Sequence, residues 1–167
     1  NAQKFIEAGD KERLALIANE CWRPLMAGEL KPGMEVIPAV SIYTIKRCGR
    51  AKARLVALGS RQKFLSDSEI YSPTMSHVGN RFCLIEAASK GHYIRMFDSG
   101  NACIKAAMGD GKVLVKLPSR WSKNPKGDIA VLLKALYGLQ CAPRKWFDCY
   151  RSSLEKDGWK MCEREPG

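Results

Sequence analysis

Between Glu35 and Asp67 the chain contains no acidic residue, yet Lys46, Arg47, Arg50, Lys52, Arg54, Arg61 and Lys63 all fall there. Like charges at this density repel unless solvent or phosphate groups neutralise them, so whatever the segment folds into must hold them at a surface. Two apolar runs lie inside the same stretch. Val40 to Ile45, with Ile42, Tyr43 and Thr44, has strand character, and Ala53 to Leu58 has it again. Cys48 to Arg50 supply a turn between them, so the segment predicts a β-hairpin with a strongly basic tip. Residues two apart in a strand share a face, which groups Lys52, Arg54 and Val56. A solvated face would also explain such a charge run; the alternation favours a binding surface.

The excess of base extends over the whole chain. Twenty-eight Lys and Arg against 17 Asp and Glu give a formal charge of +11 and a pI near 9.5. Such a balance favours a polyanionic partner, with nucleic acid ahead of an anionic membrane. No apolar run reaches the roughly 18 to 20 residues that a spanning helix needs, so membrane insertion is not expected. With 167 residues, 46% of them hydrophobic, the chain can bury a core as one domain or two small lobes. Seven scattered cysteines without a C-x-x-C pair suggest neither a disulfide framework nor a zinc knuckle, and they fit a reducing, intracellular compartment. Mitochondrion, nucleus and cytoplasm are not distinguished. The termini, Asn1 and Gly167, lead to the expectation of a processed product or a fragment.

Along the chain, residues 3 to 22 predict an amphipathic helix with Phe5, Ile6, Leu14 and Ile17 as apolar anchors. Gly28, Pro32, Gly33 and Pro38 mark residues 28 to 39 as a loop before the hairpin. Asn80 to Lys90 is helical in composition and Gly91 closes it. Tyr93 to Phe97 reads as a strand ending at Asp98, and Asp98 to Asn101 as a turn. A short helical stretch at Ala102 to Met108, a strand at Val113 to Leu117, a basic loop from Pro118 to Gly127, an apolar run at Ile129 to Leu133 and a helix over Pro143 to Lys156 complete the pattern. The mixed order of helices and strands makes the chain α+β. No internal repeat or low-complexity segment interrupts it.

Few residues are placed for chemistry. Asp98 ends an apolar run, where sheets commonly present ligand groups, although an Asp before Ser-Gly-Asn is also an ordinary turn former. Two-metal phosphoryl transfer needs several carboxylates around ions about 3.5 to 4 Å apart, and no two acids are adjacent anywhere in this chain. His77 and His92 are too few for a metal cluster or an oriented base. Lys105, Lys112, Lys116, Arg120, Lys123 and Lys126 form a second, more dispersed basic group. Trp146, Phe147 and Tyr150 could stack bases but at helical spacing suit a core. A P-loop, a dinucleotide fingerprint and a G-x-S-x-G elbow are all missing.

Two longer motifs carry a resemblance. Lys52-Ala53-Arg54-Leu55-Val56-Ala57-Leu58-Gly59, then Gln62 and Tyr71-Ser72-Pro73, resembles the fingers of copia-type retrotransposon reverse transcriptases, approximately K-A-R-L-V-A-K-G, Q and F-S-P. Leu133-Lys134-Ala135-Leu136-Tyr137-Gly138-Leu139 with Ala142-Pro143-Arg144 and Trp146 is similar to the family's K-A-L-Y-G-L-K-Q-A-P-R-x-W. Between them, Met96-Phe97-Asp98 stands where the family has its first catalytic motif. The likeness covers about residues 3 to 160. It implies a partial fingers and palm fold, with a helix and fingers-like region over 1–92 and an incomplete palm-like region over 93–167. It implies that Asp98 is the palm aspartate that binds magnesium, that Lys52 or Arg54 lies near the incoming triphosphate, and that Arg144 lines the template and nucleotide.

The departures point away from catalysis. The aromatic residue that crowds the sugar 2′-hydroxyl in the family is Cys103 here, and the family's Lys-Gln before Ala-Pro-Arg is Gln140-Cys141. Leu58 replaces a lysine, and the Asp-Asp hairpin that completes the metal site would follow residue 167. The expectation is therefore an RNA- or RNA–DNA-binding remnant in which Asp98 is vestigial. It would work beside other proteins in a ribonucleoprotein assembly such as an organellar ribosome, with Mg2+ bound only if another segment completes the site. The expected contact residues are Lys46, Arg47, Arg50, Lys52, Arg54, Arg61, Lys63 and Arg144. Two alternatives stay open: a fragment of an active RNA-directed DNA polymerase, and a protein-binding module on an inherited scaffold.

Overall fold

The computed structural model describes residues 2–62, 65–109, 113–122 and 127–162. Helix α1 (Ala2–Ala18) leads into a short strand β1 (Trp22–Pro24), followed by β2 (Val36–Ile45) and β3 (Ala51–Ala57). After two helices, α2 (Asp67–Ile70) and α3 (His77–Ser89), come β4 (Leu114–Lys116), β5 (Ile129–Leu132) and α4 (Ala142–Lys156). The fold is α+β, as composition and pattern predict. Its five strands form one sheet in the order β1-β5-β4-β2-β3, drawn from both the fingers-like and the palm-like regions.

β2 and β3 are antiparallel, with Ile42 opposite Arg54 and Thr44 opposite Lys52. The hairpin predicted from sequence is therefore present, but β2 starts at Val36, inside the segment read as a loop. Pro38 causes the difference. It lacks an N–H yet keeps its carbonyl, which accepts a hydrogen bond from the Leu58 N–H at 2.8 Å, so a strand accommodates it here. Of the four added residues, the first three pair in parallel with β4, Val36 with Leu114 through Pro38 with Lys116.

One face of the hairpin belongs to the core. Ala39, Ala53, Leu55 and Ala57 are buried, alternating with the more exposed Val40, Ile42, Arg54 and Val56. Leu16 of α1 joins Leu55, Ile104, Val115, Leu132 and Leu136 in the same cluster. Phe5 meets Tyr43 edge to face, ring centroids 5.8 Å apart. Trp121 is buried and its indole N–H donates to Ser41 Oγ at 2.6 Å, locking the loop after β4 onto β2. Arg120 beside it donates to the Ile6 carbonyl at 2.9 Å and pairs with Asp10. Its guanidinium lies over Gly9, where a Cβ would stand 3.4 Å away. This member of the second basic group thus fastens α1 to the sheet.

Three other expectations are corrected. Helix α1 stops at Ala18, and Glu20 turns at positive φ so that the chain can enter β1. Ala102 to Met108 gives only a 3-10 turn, Cys103–Lys105. Tyr93 to Phe97 is not a strand: it pairs with no described strand, and Tyr93, Met96 and Phe97 are 98%, 94% and 84% exposed. β-propensity expresses itself through cross-strand neighbours, and this segment has none among the described residues. Helix α3, just before it, buries no residue. Its start does follow the local rules, since Ser76 caps it by accepting from the Gly79 N–H at 2.9 Å.

Candidate nucleic-acid interface

The exposed side of the hairpin carries Lys52 and Arg54 from β3, with Val40, Ile42 and Thr44 beside them on β2. Lys46, Arg47 and Arg50 stand at the exposed tip, where the Arg50 carbonyl accepts from the Lys46 N–H at 2.9 Å and Gly49 takes φ +76°. Arg61 projects from the 3-10 turn Gly59–Arg61 that follows β3. Lys63 lies outside the described residues, as do Lys112, Lys123 and Lys126. None of Lys46, Arg47, Arg50, Lys52, Arg54 and Arg61 forms a salt bridge among the described residues.

The crowding of like charge is visible at Lys52. Partial burial, then the positive charges of Arg54, Lys46 and Arg50, hold its ammonium pKa below the ordinary value, with Glu12 opposing them. Glu12, on α1, is the acid that faces this group. Its own pKa is raised because burial outweighs the favourable fields of Lys52 and Arg54. The surface therefore carries an uncompensated positive field.

Arg54 is held in place by a residue that the charge pattern does not reveal. Its guanidinium carbon lies 5.3 Å from the centre of the Tyr137 ring, a cation–π arrangement. Burial raises the Tyr137 pKa, and Cys103 and Glu12 raise it further while Arg54 lowers it. Cys103, whose thiol pKa is also raised by burial, lies within the electrostatic reach of Tyr137 and Arg54. Arg54, Tyr137 and Cys103 come from three separate sequence segments, and the fold brings them to one place. Tyr137 was legible only as part of a motif, without an individual role.

The segment around Tyr137 docks on the end of β3 through backbone. Ala57 N–H donates to the Tyr137 carbonyl at 2.7 Å, Gln140 N–H to Gln62 Oε1 at 3.1 Å, and Gln140 Nε2 to the Gly59 carbonyl at 2.8 Å. Gln140 is thus turned inward, and Cys141, in the place of the family's glutamine, is buried. Ser72 Oγ donates to the Pro143 carbonyl at 3.3 Å, tying the Tyr-Ser-Pro stretch to the start of α4.

The remaining predicted residues lie away from the hairpin tip. Arg144 pairs with Asp148 at 3.0 Å, lies over Phe147 and donates to the Tyr71 carbonyl at 3.5 Å, so it bridges α4 to the Tyr-Ser-Pro stretch. Trp146 and Tyr150 stack on each other, centroids 5.6 Å apart. Asp98 is exposed in the irregular stretch before Cys103. No group of three or more His, Cys, Asp or Glu that could hold a metal ion occurs among the described residues. Magnesium is the ion that the resemblance implies, but the described donors around Asp98 do not assemble a site for it.

The fold thus brings the two motif-bearing segments, 52–62 and 133–144, into direct contact. Residues 25–167 match the family model described as reverse transcriptase (RNA-dependent DNA polymerase). The chain belongs to this family. It is 29% identical over 169 residues to a retrovirus-related Pol polyprotein from transposon RE1 of Arabidopsis thaliana, covering 89% of this chain and 12% of that protein. It is 31% identical over 156 residues to the transposon Ty1-NL1 Gag-Pol polyprotein of Saccharomyces cerevisiae, covering 91% and 9%. These relatives support the copia type. The chain spans about a tenth of their length. No solved structure matches it, and no helix among the described residues is long and apolar enough to cross a membrane.

Proposed function

We propose that this reverse transcriptase-family chain binds RNA or an RNA–DNA hybrid through the exposed face and tip of the β2–β3 hairpin, and that by itself it does not polymerise. The observation that carries this reading is the placement of Lys52 and Arg54 on one exposed face, with Lys46, Arg47 and Arg50 at the tip and no salt bridge to any of them among the described residues. Phosphates satisfy such a field by releasing condensed counterions. Arg54, steadied by Tyr137, presents a planar donor fork suited to a phosphate or a base face. Arg144 contributes less, because Asp148 already pairs it. A basic, non-catalytic RNA binder of this kind suits a component of a ribonucleoprotein assembly, an organellar ribosome being one setting.

Fluorescence anisotropy with a labelled single-stranded RNA tests the proposal. Charge reversal at Arg50, Lys52 and Arg54 together should weaken binding and reduce the slope of log affinity against log salt by about 2, at roughly 0.7 per phosphate contact on a single strand. Affinity and slope left untouched would instead favour a protein-binding role for the scaffold.

Family membership also supports a second reading, a fragment of an RNA-directed DNA polymerase. Primer extension on an RNA template decides between them. Incorporation with magnesium or manganese above an Asp98→Ala control would establish polymerisation and overturn the non-catalytic reading.

A further inference from the structure

A cleft of about 410 Å3 opens between α1 and the tip of the hairpin, lined by Lys4, Glu7 and Lys11 on the helix and by Cys48, Gly49 and Arg50 on the turn. Positions 4, 7 and 11 fall on one side of α1, one and two turns apart, so the helix offers two ammonium groups to the same opening. Arg50 closes it from the hairpin. Lys4, Lys11 and Arg50 form no salt bridge among the described residues, and the one acid, Glu7, accepts from Gln3 at 3.2 Å. The lining therefore bears three positive charges against one negative. The field reaches Cys48, whose thiol pKa is lowered first by a hydrogen bond to the Arg50 backbone and also by the charges of Arg50 and Lys46.

The cleft adjoins the surface described above and shares Arg50 with it. Ala51 lines it, and Ala51 shares its face with the buried Ala53 and Leu55 along which α1 packs. Lys52 and Arg54 alternate to the other side of β3, where Glu12 of α1 still reaches them. We infer that this cleft is a second phosphate-binding site, formed by Lys4, Lys11 and Arg50, which takes the backbone of a nucleic-acid strand passing around the hairpin tip. It rests on the nucleic-acid reading for its ligand, whereas its anion affinity follows from the cleft alone. Residues 46 to 50 join the two faces, so a strand that crosses them meets cations throughout.

Cys48 reports on occupancy. The intact chain is treated with iodoacetamide at neutral pH, and the alkylation rate of each cysteine is followed by peptide mass spectrometry, alone, with a single-stranded oligouridylate, or with inorganic tripolyphosphate. The expected result is a several-fold slowing at Cys48 with either ligand and no change at Cys83, an exposed thiol on α3. In the Lys4→Gln/Lys11→Gln double variant, whose changes fall at exposed positions, this protection should disappear while the melting temperature holds. Protection that persists in the variant would place the anion on the tip and overturn the inference. Protection by tripolyphosphate with none by bound oligouridylate would overturn the strand as ligand. If the oligouridylate does not bind at all, the nucleic-acid reading fails, and the tripolyphosphate arm still decides whether the cleft takes phosphate. Absence of protection by tripolyphosphate there would sink the site.

Discussion

Gly59 and Gly138, 79 positions apart, meet so closely that a Cβ built on Gly59 would stand 2.1 Å from the Gly138 carbonyl oxygen. Gly138 in turn has φ +88°, and its own Cβ would lie 2.2 Å from the Ala57 carbonyl oxygen. Each glycine is thus the space into which the other segment's backbone fits. The Ala57 N–H to Tyr137 carbonyl bond, at 2.7 Å, runs through the same contact. This junction joins the fingers-like hairpin to the segment that ends in α4.

Gly59→Ala should therefore separate the two segments. Its φ is not left-handed, so the loss comes from the clash with Gly138 and Gln140 backbone and not from conformational strain. A destabilisation of about 2 to 3 kcal/mol is expected. For a chain of this size that lowers the melting temperature by roughly 5 to 10 °C. A melt within a degree of the unsubstituted chain would mean that the junction does not form.

The Arg54–Tyr137 contact should behave as a coupled pair. Arg54 is exposed, so the coupling is modest, about 0.5 to 1 kcal/mol in a double-mutant cycle of urea unfolding using Arg54→Met and Tyr137→Leu. Tyr137→Phe should retain it, because the ring carries the interaction. Strictly additive single effects would show that the two side chains do not meet in solution.

Glu12 gives a pH signature. Its folded-state pKa is raised above the ordinary carboxylate value by burial, so its contribution to stability is fully present at pH below that ordinary value of 4.5 and is lost as pH rises through the folded value. Glu12→Gln, which removes the charge, should consequently melt higher than the parent at neutral pH. That advantage should shrink as the pH is taken down through the carboxylate range. An advantage that stays constant with pH would assign the effect to packing.

The thiols should rank by environment. Cys21 is buried and desolvation pushes its pKa up to about 12, whereas Cys48 is exposed and lowered by the Arg50 backbone hydrogen bond. Since the thiolate is the nucleophile, Cys48 should alkylate much faster than Cys21 with iodoacetamide in the absence of any ligand. Equal rates under native conditions would contradict the burial of Cys21.

The hairpin was readable from residues alone because strand alternation and turn chemistry are local, and an acid-free basic segment cannot be buried. The start of β2 was not, because Pro38 looks like a loop residue until Leu58, just after β3, supplies a donor to its carbonyl. Tyr93 to Phe97 failed in the opposite sense: the propensity is there and the partner strand is not, among the described residues. Arg120 resembled another free cation in sequence, and only the fold sets Asp10 beside it, whereas Arg144 and Asp148 are four positions apart on a helix and their pairing is local. Sequence by itself determined the basic hairpin, the α+β class and the family, since charge, periodicity and motif spacing are carried along the chain. Tertiary structure decided that Asp10 pairs Arg120, that Tyr137 steadies Arg54, and that α1 brings Lys4 and Lys11 to the tip of the hairpin. Those depend on through-space contacts between residues far apart in the chain, which linear order does not specify.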